Sequence, residues 1–143
     1  MKNLPIPLMR LAFMLAVAIF IAACGDSHDA GQATVTSSAT FSRIQLEVFT
    51  PSCAITNCHD TTSHQSGLVL SAGNAYVQIV NIASFEVPVL KRVAPNDPNN
   101  SYLFQKINGT ASVGLQMPLG ALPLGSDQLN LVRDWILSGA PNN

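Results

Sequence analysis

Cys53-Ala54-Ile55-Thr56-Asn57-Cys58-His59 is the stretch on which the reading of this chain turns. Two thiols five positions apart run directly into an imidazole. At about 100° per residue a continuous helix holds side chains three apart within about 60° of one another, but side chains five apart diverge by about 140°. Cys53 and Cys58 therefore cannot meet one partner from a regular helix, and the residues between them must loop out. The neighbours permit this: Pro51 is expected to end a helix arriving from upstream, and Asn57 tolerates a left-handed backbone.

What the thiols can do depends on where the chain resides, and the amino-terminal residues speak to that. Lys2 and Arg10 lead into the apolar run Leu11 to Ile21, short for a comfortable bilayer span and followed by small residues. Ile21-Ala22-Ala23-Cys24 resembles the lipobox of bacterial lipoproteins, in which Cys24 would be acylated and become the new terminus; a plain membrane anchor is the competing reading. Residues 1–23 are thus read as a signal peptide. The positive mean hydropathy of the chain owes much to this leader. Gly25 rather than an acidic residue follows Cys24, which resembles outer-membrane sorting and leads to an expected place on the periplasmic side of a bacterial membrane, held by lipid.

Of three cysteines, lipid would consume Cys24, leaving Cys53 and Cys58 as a pair in an oxidising compartment. Three chemistries suit them. Two thiols and an adjoining histidine can bond the vinyl groups of a haem and present a ring nitrogen to its iron, as the C-x-x-C-H signature does; here the spacing is C-x-x-x-x-C-H. A short redox-active disulfide is a second possibility, although a bridge closing so small a loop stabilises little. The third is zinc, whose ligand types are supplied by Cys53, Cys58, His59 and His64, but adjacent side chains such as Cys58 and His59 reach one tetrahedral ion only with strain.

About 120 residues follow Cys24, the size of one small domain with a tether. Residues 24–40 are rich in Ser, Thr, Ala, Gly and Asp and read as a flexible spacer, with His28 free in it; residues 41–143 read as the domain. Seven basic and eight acidic residues give a net charge of −1 without a basic cluster, so nucleic acid is not an expected partner.

The domain reads as all-α. Thr40 or Ser42 can cap a first helix with Phe41, Ile44 and Val48 on one side, ending near Thr50. Ser71 can cap a second, carrying Ala72, Tyr76, Ile79 and Val80. Asp97-Pro98 is expected to open a third, with Leu103, Phe104 and Ile107 leading to Gly109. The fourth starts at Ser126, shows Leu129, Val132 and Ile136 on its apolar face and stops before Gly139. Leu68-Val69-Leu70 reads as a short strand or an extended segment, with no sheet expected.

Between the last two helices, Met117-Pro118 sits among Gly114, Gly120 and Gly125. A single thioether is ordinarily a core filler. Met117 instead lies in a loop beside a proline, where a core filler is less expected, and a thioether is a known axial ligand of haem iron. His64, in the polar run Asp60 to Ser66, reads as solvent-exposed, and Trp135 as a core residue first. Lys91, Arg92 and Arg133 are either surface charges or partners for haem propionates.

Taken together, the helix before Cys58-His59, the Gly67-Leu68-x-Leu70 segment, Val93-Ala94-Pro95-Asn96-Asp97-Pro98 before Ser101-Tyr102-Leu103, the Met117-Pro118 loop and the closing Leu131-Val132-Arg133-Asp134-Trp135-Ile136 resemble the small monohaem cytochrome c domains of bacterial surface and periplasmic proteins. The resemblance covers most of Phe41 to Pro141 and departs from the family's pattern in the two extra residues between the cysteines. It implies a helical domain around one covalent haem c, attached through Cys53 and Cys58 and ligated by His59 and Met117. The implied activity is electron transfer with redox partner proteins. No nucleophile, base and orienting acid form a recognisable catalytic set, so enzymatic turnover is not expected.

Overall fold

The computed structural model describes residues 38–143. The leader, Cys24, His28 and the spacer up to Ser37 lie outside the described residues. Ser38 to Thr40 already belong to the domain: Ala39 packs against the core, and Thr40 Oγ1 accepts from the Arg43 amide at 3.2 Å.

Helix α1 (Phe41–Ile44) continues into a π-helical turn (Gln45–Phe49) and a last α-helical turn, α2 (Thr50–Ser52). The expected stop at Pro51 is thus overrun by one residue. Proline lacks an amide hydrogen and its ring crowds the carbonyl four residues back, here that of Glu47. The wider π turn, in which Thr50 donates to Gln45 O, carries the chain past this obstacle. Gln128 Nε2 donates to Glu47 O at 2.8 Å, giving that carbonyl the partner Pro51 cannot supply. Gln128→Ala should therefore cost about 1 kcal/mol, measurable as a shifted urea midpoint with unchanged slope.

Helix α3 (Ala75–Ile79) starts three residues later than Ala72, because Gly73 takes a left-handed φ of 82° and turns the chain first. Helix α4 (Tyr102–Asn108) also starts late. Asp97 caps its own turn, accepting from the Asn100 amide at 3.1 Å, while fully buried Ser101 ties Ala94 and Asp97 together through its hydroxyl. Gly109, at φ 79°, ends α4 in the left-handed conformation that glycine adopts without a Cβ penalty. Helix α5 spans Ser126–Leu137. Among the described residues the remaining order is in isolated bridges, Val80 with Val93, Ala83 with Lys91 and Lys91 with Ser101; Leu68 is extended and joins no sheet.

The core lies where α5 packs on α1 and α4. Trp135, Ile44, Val48, Val132 and Ile136 are sealed from solvent, and Phe41 sets its ring against Phe49, Tyr76 and Trp135 at centroid distances of 6.2, 5.1 and 5.6 Å. Trp135 donates its indole N–H to Pro141 O at 2.8 Å. Continuous with this core, Phe49, Cys53, Leu70 and the α4 residues Leu103 and Ile107 join His59 and Met117 around a hollow.

Candidate functional site

The expanded cysteine segment folds as a bulge. Cys53 N donates to Phe49 O, Cys58 N to Ile55 O, and Asn57 takes a φ of 68°, the left-handed turn that lets four residues loop out. His59 N then donates to Cys53 O at 3.1 Å. In an ordinary helix the amide four residues on bonds the first carbonyl, which in C-x-x-C-H joins the histidine to the first cysteine. The same donor and acceptor meet here across two more residues. The polar loop braces the bulge, since Ser63 Oγ accepts from Asn57 N at 3.0 Å and Asp60 Oδ1 accepts from Ser63 N at 2.6 Å.

His59 is half-buried, and its Nδ1 lies 3.3 Å from Leu68 O. A carbonyl can only accept, so Nδ1 carries the proton and Nε2 keeps its lone pair. Burial lowers the pKa of the ring, opposed by the backbone carbonyls of Leu68 and Gln65, so the neutral form that binds metals is the one favoured near pH 7.

Two adjoining hollows share His59, Cys53, Ser66 and Met117 in their walls. The inner one has a cavity volume of about 90 Å³ and the outer one about 540 Å³, so it is the outer hollow that falls within the range of small-molecule and cofactor sites. Phe49, Leu68, Leu70, Leu103 and Ile107 make the inner one apolar. The outer one takes in Cys58, Ile55, Pro118, Leu119 and Leu122. Met117 is held by its amide, which donates to Lys106 O at 2.9 Å, and is half-buried at the junction. Its peptide to Pro118 is cis.

The inner hollow has a polar side. Arg92 lines it while donating to Gln78 O at 2.9 Å and Gly67 O at 3.2 Å, and it forms no ion pair among the described residues. Beside it, Glu86 Oε2 lies 3.4 Å from Lys106 Nζ and 2.5 Å from the Tyr102 hydroxyl. The hydroxyl and the ammonium lower the Glu86 pKa, whereas burial and that carboxylate push Tyr102 up to about 12. Lys91 and Arg133, grouped with Arg92 in the sequence, are exposed and bonded to Asn81 and Asp134.

Compared with protein-family models, with curated proteins and with solved structures, the chain matches none.

The geometry bears on the two rival uses of the cysteines. Burial, aided by Cys58, pushes the Cys53 thiol up to about 12. Disulfide exchange needs an accessible thiolate, which Cys53 does not offer and half-exposed Cys58 would have to supply. Among the described residues no three of His, Cys, Asp or Glu are placed to hold one metal ion, and His64 stands exposed on its loop. Sequence reading overlooked Glu86, Tyr102 and Lys106. A signal was available: Tyr102 and Lys106 are four apart on α4, so a phenol hydroxyl and an ammonium share one side of a short helix rich in buried apolar residues.

Proposed function

We propose that this chain is an electron-transfer cytochrome c, an all-helical domain carrying one covalent haem and tethered to a bacterial membrane through acylated Cys24. The observation that carries the reading is the His59 N to Cys53 O bond at 3.1 Å, which preserves across the longer segment the closure of a C-x-x-C-H turn. The donor set supports it: a neutral imidazole with Nε2 free, a thioether on the wall of the same hollow, and two thiols on its sides.

Haem bound there supplies a one-electron iron couple. Cys53 and Cys58 would hold its vinyl carbons through thioethers, and His59 and Met117 would hold the iron. Arg92, which lines the inner hollow and forms no ion pair among the described residues, would be the cation available to the haem carboxylates, Lys106 being paired with Glu86, and the apolar wall would limit water at the iron. With His59 and Met117 both holding the iron, the chain would leave it no free position for a substrate, which is why transfer rather than turnover is proposed.

The test is expression in a periplasm with haem-attachment machinery, followed by intact mass and acid acetone extraction. The protein should gain the mass of one haem and stay red in the precipitate. A variant lacking Ile55 and Thr56, and so reading C-x-x-C-H, controls for hosts that reject the longer spacing. A colourless shortened variant without added mass, in a host that matures an ordinary c-type cytochrome, sinks the reading.

A further inference from the structure

Residues 84–90, Ser-Phe-Glu-Val-Pro-Val-Leu, form the tip of a short hairpin whose legs are tied by the Ala83–Lys91 bridge and by Ser84 N donating to Leu90 O at 2.8 Å. The tip is firmly based, because Lys91 O and Arg92 O accept from Tyr102 N and Leu103 N at the start of α4. Yet it turns apolar side chains to water: Phe85 is 75% and Val89 91% exposed. Beside it stand Val113 and Leu115, 46% and 66% exposed.

The two loops are joined by the Glu86 cluster. Tyr102 Oη lies 2.5 Å from Glu86 Oε2 and 2.8 Å from Val113 O, and a Cβ on Gly114 would sit 3.2 Å from the same carboxylate and collide with Lys106 Nζ. Glu86 thus spends its charge inward. Lys91, exposed at the base of the hairpin and donating to Asn81 Oδ1 at 2.7 Å, leaves a cation beside the apolar tip.

We propose that Phe85, Val89, Val113 and Leu115 form a lipid-facing patch that seats the domain on the bilayer carrying its anchor. The proposal rests on the reading of Cys24 as acylated. Fully extended, the chain from Cys24 to Ser37 reaches at most roughly 50 Å, against a radius of gyration of about 13 Å for a domain of this size, so every face of the domain can come to the membrane. A tethered domain meets lipid at high effective concentration, and apolar tips flanked by a cation suit the boundary between anionic headgroups and acyl chains. Phe85 also lines the inner hollow, so this seating turns the hollow's mouth toward the membrane plane, where a membrane-bound electron donor or acceptor would be met.

The experiment uses the full-length acylated protein in vesicles of phosphatidylethanolamine and phosphatidylglycerol. A nitroxide is attached at Val89→Cys, or at Leu46→Cys and Val77→Cys, which replace residues 71% and 70% exposed on other elements. The Val89 label should collide more often with oxygen, which concentrates in the bilayer, than with a water-soluble nickel chelate, with the preference reversed at Leu46 and Val77. Adding Leu115→Asp, at a residue that lines neither hollow, should return the Val89 label to the control ratio while the visible spectrum stays unchanged.

A water-like Val89 label on a protein whose mass shows lipid on Cys24 overturns the proposal, leaves the anchor standing and assigns the patch to a protein partner. A label immobilised in proportion to protein concentration, without the oxygen preference, overturns it in favour of self-association. Absence of lipid on Cys24 together with a protein that stays off the vesicles removes both readings.

Discussion

Replacing Met117 with alanine is expected to open the iron. The oxidised variant should lose the weak far-red sulfur-to-iron band, and the reduced variant should bind carbon monoxide readily, where the parent resists it. Soft thioether sulfur favours the electron-rich ferrous state, so the reduction potential should fall as well. Met117 lines both hollows beside His59, and its amide is fixed to Lys106 O at 2.9 Å, so the side chain starts from an anchored backbone. His64→Ala is the control: His64 is exposed and lines neither hollow, and its loss should leave band, ligand binding and potential unchanged. A silent Met117 variant together with an opened iron in the His64 variant would reverse the assignment and return Met117 to the core.

The cysteine bulge was legible because its cause is local. Left-handed Asn57 and a looped segment follow from angular spacing and from the few residues that tolerate positive φ. Thr40 at the head of α1 and Gly109 at the end of α4 were legible on the same grounds. Pro51 misled because the remedy is tertiary. The Glu47 carbonyl is satisfied by Gln128, eighty-one residues away, and no local pattern announces that partner. The starts of α3 and α4 slipped for a related reason: left-handed Gly73 turns the chain, and Asp97 spends its carboxylate on the Asn100 amide, before either helix begins.

The site divides in the same way. Cys53, Cys58, His59 and Met117 announce themselves by residue type and by adjacency to proline and glycine. Glu86 does not, because Ser84-Phe85-Glu86-Val87 reads as an ordinary polar residue in an apolar loop. Only the folding of that hairpin against α4 brings its carboxylate to Tyr102 and Lys106. Arg92 and Lys91 are neighbours of the same charge, yet one lines the hollow and the other faces water. Residues along an extended leg alternate sides, and which side is inward is set by the partner strand and helix, not by the pair itself.

Trp135→Ala should be the most destabilising single substitution in the core, by about 3–5 kcal/mol. The side chain is fully buried, its ring lies 5.6 Å from that of Phe41, and its N–H is bonded to Pro141 O, so truncation leaves a large void and an unpaired carbonyl together. Against a domain stability of about 5–15 kcal/mol this removes about a fifth or more, and the melting temperature should fall by roughly 15–30 °C. Trp135→Phe keeps most of the volume, so its loss should be well under half as large. The substitution also separates core from cofactor wall. Trp135 lines neither hollow, so the fraction of Trp135→Ala that remains folded should keep the parent's spectrum and potential. A shift in potential without a matching loss of stability would move Trp135 from the core to the haem edge. The physical ground for expecting the reverse is that α5 packs on α1 and Trp135 sets its ring against Phe41, which itself lines neither hollow.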